Sequence, residues 1–191
     1  KRTPAQWLKF ANSLRLRLAM RVSNVDPTLA KEQAQAALDA QNGGVLETSN
    51  ETVGQYGIRN PLGGVSGWGE VFMNASLESF LKAYDDPRSK SYFNAAQDGR
   101  DNDGNITQTV AGVKQLTSIE GKFKGVRQGT GVGDNRYSTH SRTTITTSSK
   151  IIVMAAAEIW FLRAEAALRG FTSEYVESCY KQGVTTSFAQ W

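Results

Sequence analysis

The run Trp7–Pro27, WLKFANSLRLRLAMRVSNVDP, constrains the fold more than any other stretch of the chain. Apolar residues occupy more than one side of the helix it encodes, and Arg15, Arg17 and Arg21 interrupt them. A helix wetted along one face carries a single apolar stripe with its charges opposite. This one is written for burial among other helices, with its arginines paired to carboxylates elsewhere. Thr3 suits the N-cap, Pro4 the first helical position, and Gln6 completes a capping box. Trp7, Ala11, Leu14, Leu18 and Val22 then form the main stripe. Arg15 and Arg21 fall at its margins, and Leu16 and Met20 lie on the opposite side.

Asp26-Pro27 opens a second helix over roughly 27–41, whose Ala30, Ala34, Ala37 and Leu38 suit close packing, and Gly43-Gly44 ends it. Two helices so joined make an antiparallel hairpin over 3–42. Residues 43–72 are glycine-rich, without helical period, and read as an ordered loop. A helix over 74–85 follows, with Leu77, Phe80, Leu81 and Tyr84 inward. Residues 86–149 are again irregular, and so long a stretch points to function. The strongest helix, roughly 151–169, buries Met154, Ala157, Trp160, Phe161, Ala164 and Leu168. Its partner, capped by Thr172 or Ser173, runs to about 187 with a stripe of Tyr175, Val176, Cys179, Tyr180 and Val184. The spacing of Trp160, Ala164 and Tyr180, with Val176 and Gly183 at the small positions, resembles one tetratricopeptide unit. The fold class expected is all-α: tetratricopeptide-like helical hairpins at 3–42 and 150–188 around long irregular loops, in one domain over 1–191. The chain begins at Lys1 and reads as an internal piece of something longer.

Charge is uneven. The net charge is +4, yet six basic residues fall in 1–25 with no acid. Because the arginines of the first helix alternate with leucines rather than lining one wet face, no nucleic-acid partner is expected. No apolar run is long enough to span a bilayer. The single cysteine, Cys179, excludes an internal disulfide and is read as a core residue.

Glu158 and Glu165 stand two turns apart on one line of the strongest helix. A carboxylate-bridged metal site would also want Glu-x-x-His, and the only histidine, His140, lies far off. The glutamates are therefore assigned to structural ion pairs with Arg15, Arg17 or Arg21. Asp98, Asp101 and Asp103 form an acidic turn that calcium would favour, but the EF-hand register fails at Gly99 and Val110. It is read as a solvated turn, and no metal or other cofactor is expected. Gly129–Asp134 departs from a phosphate-binding loop. Ser138, His140 and Asp134 crowd one loop without the scaffold of a catalytic triad, so no catalytic residue is expected. Tyr56, Trp68, Tyr92 and Tyr137 sit in polar loops with Arg59, Arg88, Arg127 and Arg136 nearby. Flat apolar ring faces beside hydrogen-bond donors suit sugars or peptides. Tyr56, Trp68, Tyr92, Arg127 and Tyr137 are the ligand-binding candidates.

At WLKFANSLRLRLAMRVSNVDP the chain resembles the SusD/RagB family of outer-membrane lipoproteins from Bacteroidetes. MNASLESFLKAYDDPRSKSYF (73–93), FKGVRQG (123–129), AEIWFLRAEAALRGF and YKQGVTTSF (within 157–188) agree with it in order and separation. The branch resembled most is the SusD-like one described as starch-binding and outer-membrane-associated. The resemblance implies a non-enzymatic protein at the outer membrane on the cell surface, held by a lipid anchor that this chain lacks. It further implies capture of glycans, or of peptides in the RagB-like branch, for a TonB-dependent SusC-like transporter. A helical-repeat scaffold that binds only a protein partner is the remaining alternative. The family's ligand aromatics lie in variable loops, so the resemblance assigns no binding residue.

Overall fold

A computed structural model describes residues 3–55, 57–96, 107–110, 113–116, 122–130, 137 and 139–190. The helices are α1 (Pro4–Val22), α2 (Pro27–Leu38), α3 (Pro61–Gly67), α4 (Ala75–Ala83), α5 (Ser89–Tyr92), α6 (Ala156–Leu168) and α7 (Val176–Phe188). The strands are β1 (Val53–Gln55), β2 (Thr107–Val110), β3 (Val113–Leu116) and β4 (Ile151–Met154). The architecture is all-α in class, with two antiparallel two-stranded ribbons, β1–β4 and β2–β3. The chain divides into two compact units, Lys1–Gln55 with Ile151–Trp191, and Tyr56–Lys150.

The first unit holds both helical hairpins. α1 pairs with α2, α6 with α7, and α1 also packs on α6. The expected capping box is present: Gln6 N–H donates to Thr3 Oγ1 at 3.3 Å, and Thr3 N–H to Gln6 Oε1 at 2.9 Å. The buried face of α1, however, is Asn12, Ser13, Leu16, Ala19 and Met20. Trp7 and Leu18 of the stronger apolar stripe are exposed. The reason is polar. Asn12 Nδ2 donates to the carbonyls of Asn42 (2.6 Å) and Gly44 (2.9 Å), and Leu46 N–H donates to Ser13 Oγ (2.9 Å). These bonds satisfy the loop after α2, which then packs Val45 and Leu46 into the core. The apolar stripe instead lines an open groove of about 400 Å³ with Leu29 and Gln33 of α2.

The strongest helix starts later than its periodicity suggests. Ile151–Met154 is a strand paired with Val53–Gln55, as its β-branched residues favour. α6 then buries Ala156, Ala157, Ile159, Ala164 and Ala166, whereas Leu168 is exposed. On α7 only Cys179, Gly183 and Thr186 are buried, Tyr175 and Tyr180 point to solvent, and Tyr175 is the N-cap. Gly183 admits Phe161: a Cβ there would stand 2.7 Å from Phe161 Cε1.

Arg17 grips Glu158 with two bonds, at 2.6 and 2.7 Å, joining α1 to α6. Glu165 differs from expectation: it pairs with Arg169 one turn away, as i,i+4 geometry favours. Arg15 donates to Gln33 Oε1 at 2.8 Å, and Arg21 is exposed in the last turn of α1.

In the second unit, α3 lies inside the stretch read as loop. Asn60 caps it by accepting from Leu62 N–H at 3.0 Å, and Pro61 takes the first helical position. α4 buries Glu78 and Leu81 but exposes Phe80 and Tyr84, which stack on each other at 6.5 Å. Phe80 and Tyr84 thus face out rather than in, because Glu78 takes the inward position. The Glu78 carboxylate accepts from Lys82, from Gly125 N–H (2.7 Å) and from Lys124 (3.4 Å).

Burial opposes ionisation of Glu78, but the Lys82 hydrogen bond, the Gly125 N–H and Lys124 outweigh it and lower its pKa below the ordinary 4.5. A carboxyl with a depressed folded pKa stabilises fully above its unfolded pKa, and that stability is lost as pH falls through the folded value. Thermal melts below pH 4.5 should therefore show a steep acid limb. Glu78→Gln should flatten it in part, since Glu51 and Asp86 also contribute through their own lowered pKa values. An acid limb identical in Glu78→Gln would contradict this role.

Candidate functional site

The second unit builds a backbone framework from four short segments. Met73 N–H donates to Ser141 O (2.8 Å), Val126 N–H to Met73 O (2.7 Å), and Ala75 N–H to Val126 O (2.9 Å). Ser141 N–H donates to Lys124 O (3.0 Å), Asn94 N–H to Arg142 O (2.8 Å), and Thr144 N–H to Tyr92 O (3.0 Å). Segments 73–75, 92–94, 124–126 and 141–144 are thereby locked together. Gly125 allows a close crossing, since a Cβ there would lie 2.7 Å from the Asn74 and Ala75 backbone.

Several candidate ligand residues hang from this framework. Trp68 caps the end of α3, five residues before Met73, with its side chain 72% exposed. Arg127 is exposed directly after Val126. Tyr92 ends α5, edge-on to Phe93 (6.4 Å), with the Arg88 guanidinium 5.8 Å from its ring centroid. Tyr137 is half-buried and stands edge-on to His140 at 5.1 Å. Trp68 and Arg127 thus offer free surface, while Tyr92 and Tyr137 carry local packing as well. Tyr56 lies outside the described residues.

His140 is buried, and burial followed by the charge of Lys124 lowers its pKa, with Glu78 opposing. Ser138 and Asp134, its partners in the triad reading, lie outside the described residues, as do Asp98, Asp101 and Asp103. Among the described residues, no group of three His, Cys, Asp or Glu side chains is placed to hold a metal ion. No described helix is long and apolar enough to cross a membrane.

Two features escaped sequence reasoning. In the second unit, Arg142 is laid over the Phe72 ring at 5.3 Å and reaches Gly69, beside Trp68. No sequence signal singled it out: Arg142 is the one arginine of the SRTT stretch. In the first unit, a cleft of about 600 Å³ is lined by Lys9, Asp39, Glu47, Arg163 and Glu174, among others. Arg163 stacks on Trp160 (3.9 Å) and pairs with Glu47 (3.0 Å) and Glu174. Burial would lower its pKa, but the Glu174 and Glu47 carboxylates outweigh burial and raise it. Trp160 Nε1–H donates to Glu47 O at 2.8 Å. The i,i+3 spacing of Trp160 and Arg163 was the available signal. Arg163 is satisfied by Glu47 and Glu174 of the cleft wall and Lys9 by Glu51, which makes the cleft a structural latch.

The SusD-like family of SusD and RagB outer-membrane lipoproteins matches residues 2–191. Among solved structures, a SusD homologue from Bacteroides vulgatus is 46% identical, with TM-score 0.76 over 99% of this chain and 36% of its own. A chitin-binding SusD homologue from Flavobacterium johnsoniae is 34% identical, with TM-score 0.74 over 97% of this chain and 36% of its own. A SusD-like protein from Bacteroides thetaiotaomicron is 35% identical, with TM-score 0.72 over 97% and 36%. No curated protein matches the chain. The chain spans about a third of the length of these solved relatives. With a match over nearly its whole length and relatives sharing its helical hairpins and loops, the chain belongs to the SusD-like family of outer-membrane lipoproteins.

Proposed function

We propose that this chain is the ligand-capturing part of a non-catalytic nutrient-binding protein on the cell surface. It takes up glycans at the outer membrane for delivery to a TonB-dependent SusC-like transporter. The observation that carries the reading is Trp68: a large ring, 72% exposed, on a hydrogen-bonded framework in a chain whose relative is chitin-binding. An indole left in water at the end of a capped helix is unused surface for folding and usable surface for a sugar ring. Stacking on Trp68, with hydrogen bonds from Arg127 and, where their packing leaves an edge free, from Tyr92 and Tyr137, holds ligand without covalent chemistry. Tyr56 belongs to the same stretch of sequence.

Calorimetry with chitohexaose, maltohexaose and trigalacturonate tests this. At least one should bind, and Trp68→Ala should weaken that binding about tenfold, or ~1.4 kcal/mol. The melting temperature should stay within a degree or two, because so exposed a ring contributes little to the core. No binding by any of the three, or binding indifferent to Trp68→Ala, would contradict the reading. Oligopeptide binding in their place would favour the RagB-like cargo.

A further inference from the structure

One node of the backbone framework adjoins the chain's only histidine. Ser141 accepts Met73 N–H on its carbonyl (2.8 Å), gives its own N–H to Lys124 O (3.0 Å) and accepts Lys124 N–H on its hydroxyl (2.9 Å). His140, the residue before it, is 8% exposed, and its N–H closes a turn on Tyr137 O at 2.9 Å. The imidazole stands edge-on to the Tyr137 ring. His140 Nδ1 is buried without a hydrogen-bond partner, and so is Thr139 Oγ1 beside it. Buried polar atoms without partners are rare, and two in one turn mark it as a weak point of the framework. The charged groups that act on the imidazole are the Lys124 ammonium and the Glu78 carboxylate, itself bonded to Lys82 and to Gly125 N–H.

We propose that His140 is an acid-sensitive switch in the capture surface: a proton added to its imidazole loosens the Tyr137–Ser141 turn and weakens the hold on ligand. The inference rests on the capture reading above and adds its regulation by pH. A neutral imidazole can leave Nδ1 as a bare acceptor. An imidazolium carries N–H on both nitrogens, so Nδ1–H becomes a buried charged donor without an acceptor, which is far more costly. Relief requires the ring to leave its place against Tyr137, and the turn opens with it. Burial and Lys124 lower the pKa of His140 below the ordinary 6.5, against the pull of Glu78. A base with a lowered folded pKa keeps its full stability above the unfolded pKa and loses it as pH falls from there through the folded value. The window therefore opens near pH 6.5, above the carboxylate limb that starts near pH 4.5.

Proton NMR on the whole chain reads the single histidine ring directly, with no sugar present. The ring should titrate below pH 6.5, and Lys124→Gln should raise that midpoint. Hydrogen-exchange protection of the Ser141 and Met73 amides should fall about threefold or more between pH 7.5 and 5.5, and stay level in His140→Gln. Calorimetry with chitohexaose, maltohexaose and trigalacturonate follows at the same two pH values. The sugar that binds should do so about threefold more weakly at pH 5.5, and His140→Gln should abolish the difference. A ring that titrates at or above pH 6.5, or protection indifferent to pH, would overturn the switch and leave the capture reading standing. Glycan affinity equal at the two pH values would do the same. Failure of all three sugars to bind at either pH would overturn the capture reading and its regulation with it, whatever the ring titration shows.

Discussion

Leu16→Ala should destabilise the first unit by about 2–5 kcal/mol in urea or thermal unfolding. Leu16 is 0% exposed and belongs to one buried cluster with Ala30 and Ala34 of α2, Leu46, Met154 and Ile159. Alanines on α2 already bring its backbone close, so the neighbours have little room to collapse into the cavity. That places the cost in the upper part of the range, because residual cavity volume adds to the lost transfer energy. Leu18→Ala is the matched control. Leu18 sits on the stripe with the stronger helical period but is 56% exposed, so its loss should cost less than about 1 kcal/mol. Equal effects of the two substitutions would refute the assignment of the buried face of α1.

Gly63→Ala should cost the second unit about 3 kcal/mol, the upper end of the usual overpacking range. A Cβ on Gly63 would stand 2.1 Å from the Thr146 carbonyl carbon and 2.4 Å from its oxygen. Both are main-chain atoms, so no rotamer change relieves the clash and α3 itself must move. That motion pulls on the bond from Asn60 N–H to Thr147 O (2.8 Å) and displaces Trp68 at the other end of the helix. Ligand binding should therefore fall together with stability. Gly67→Ala on the same helix meets open space. It should be neutral or stabilising by up to about 1 kcal/mol, since alanine is the better helix former. A Gly63→Ala protein that melts like the parent would show that α3 is not seated on Thr146.

Much of the helical architecture was legible because it depends on local rules. The α1 capping box, the Asp26-Pro27 start of α2 and the small-residue face of Ala30, Ala34 and Ala37 are written within a few residues of where they act. What failed was the choice of buried face. On α1, α4 and α7 most of the richer apolar stripe faces solvent, Leu81 and Cys179 being buried as expected, while other inward positions go to Ser13, Glu78 and Gly183. Each of those is selected by a distant backbone or side chain: Leu46 N–H, Gly125 N–H and the Phe161 ring. Periodicity weighs hydrophobicity along one element and carries no information about such partners. α3 was hidden for a different reason: Pro-Leu-Gly-Gly-Val-Ser-Gly has poor helix propensity, and only the Asn60-Pro61 cap announces it.

The candidate site was legible by residue type and not by arrangement. Trp68, Tyr92 and Arg127 stood out as aromatics and arginines in polar loops. That segments 73–75, 92–94, 124–126 and 141–144 would be stitched together follows from bonds between residues up to about seventy apart. The same distance hid Arg142, which meets Gly69 and Phe72 only after folding. Arg17 and Glu158, 141 residues apart, were paired from charge balance between two helices. Glu165 went to Arg169 because a partner one turn away costs less ordering entropy than one on another helix.

The central claim is that an oligosaccharide stacks on Trp68. An amide-resolved titration follows the indole N–H of each tryptophan while oligosaccharide is added. The Trp68 indole resonance should move most and saturate with the calorimetric affinity. Trp160, whose indole N–H is held by Glu47 O, should stay in place. A saturable shift at other residues with Trp68 unmoved, or no shift at any glycan concentration, would contradict the account.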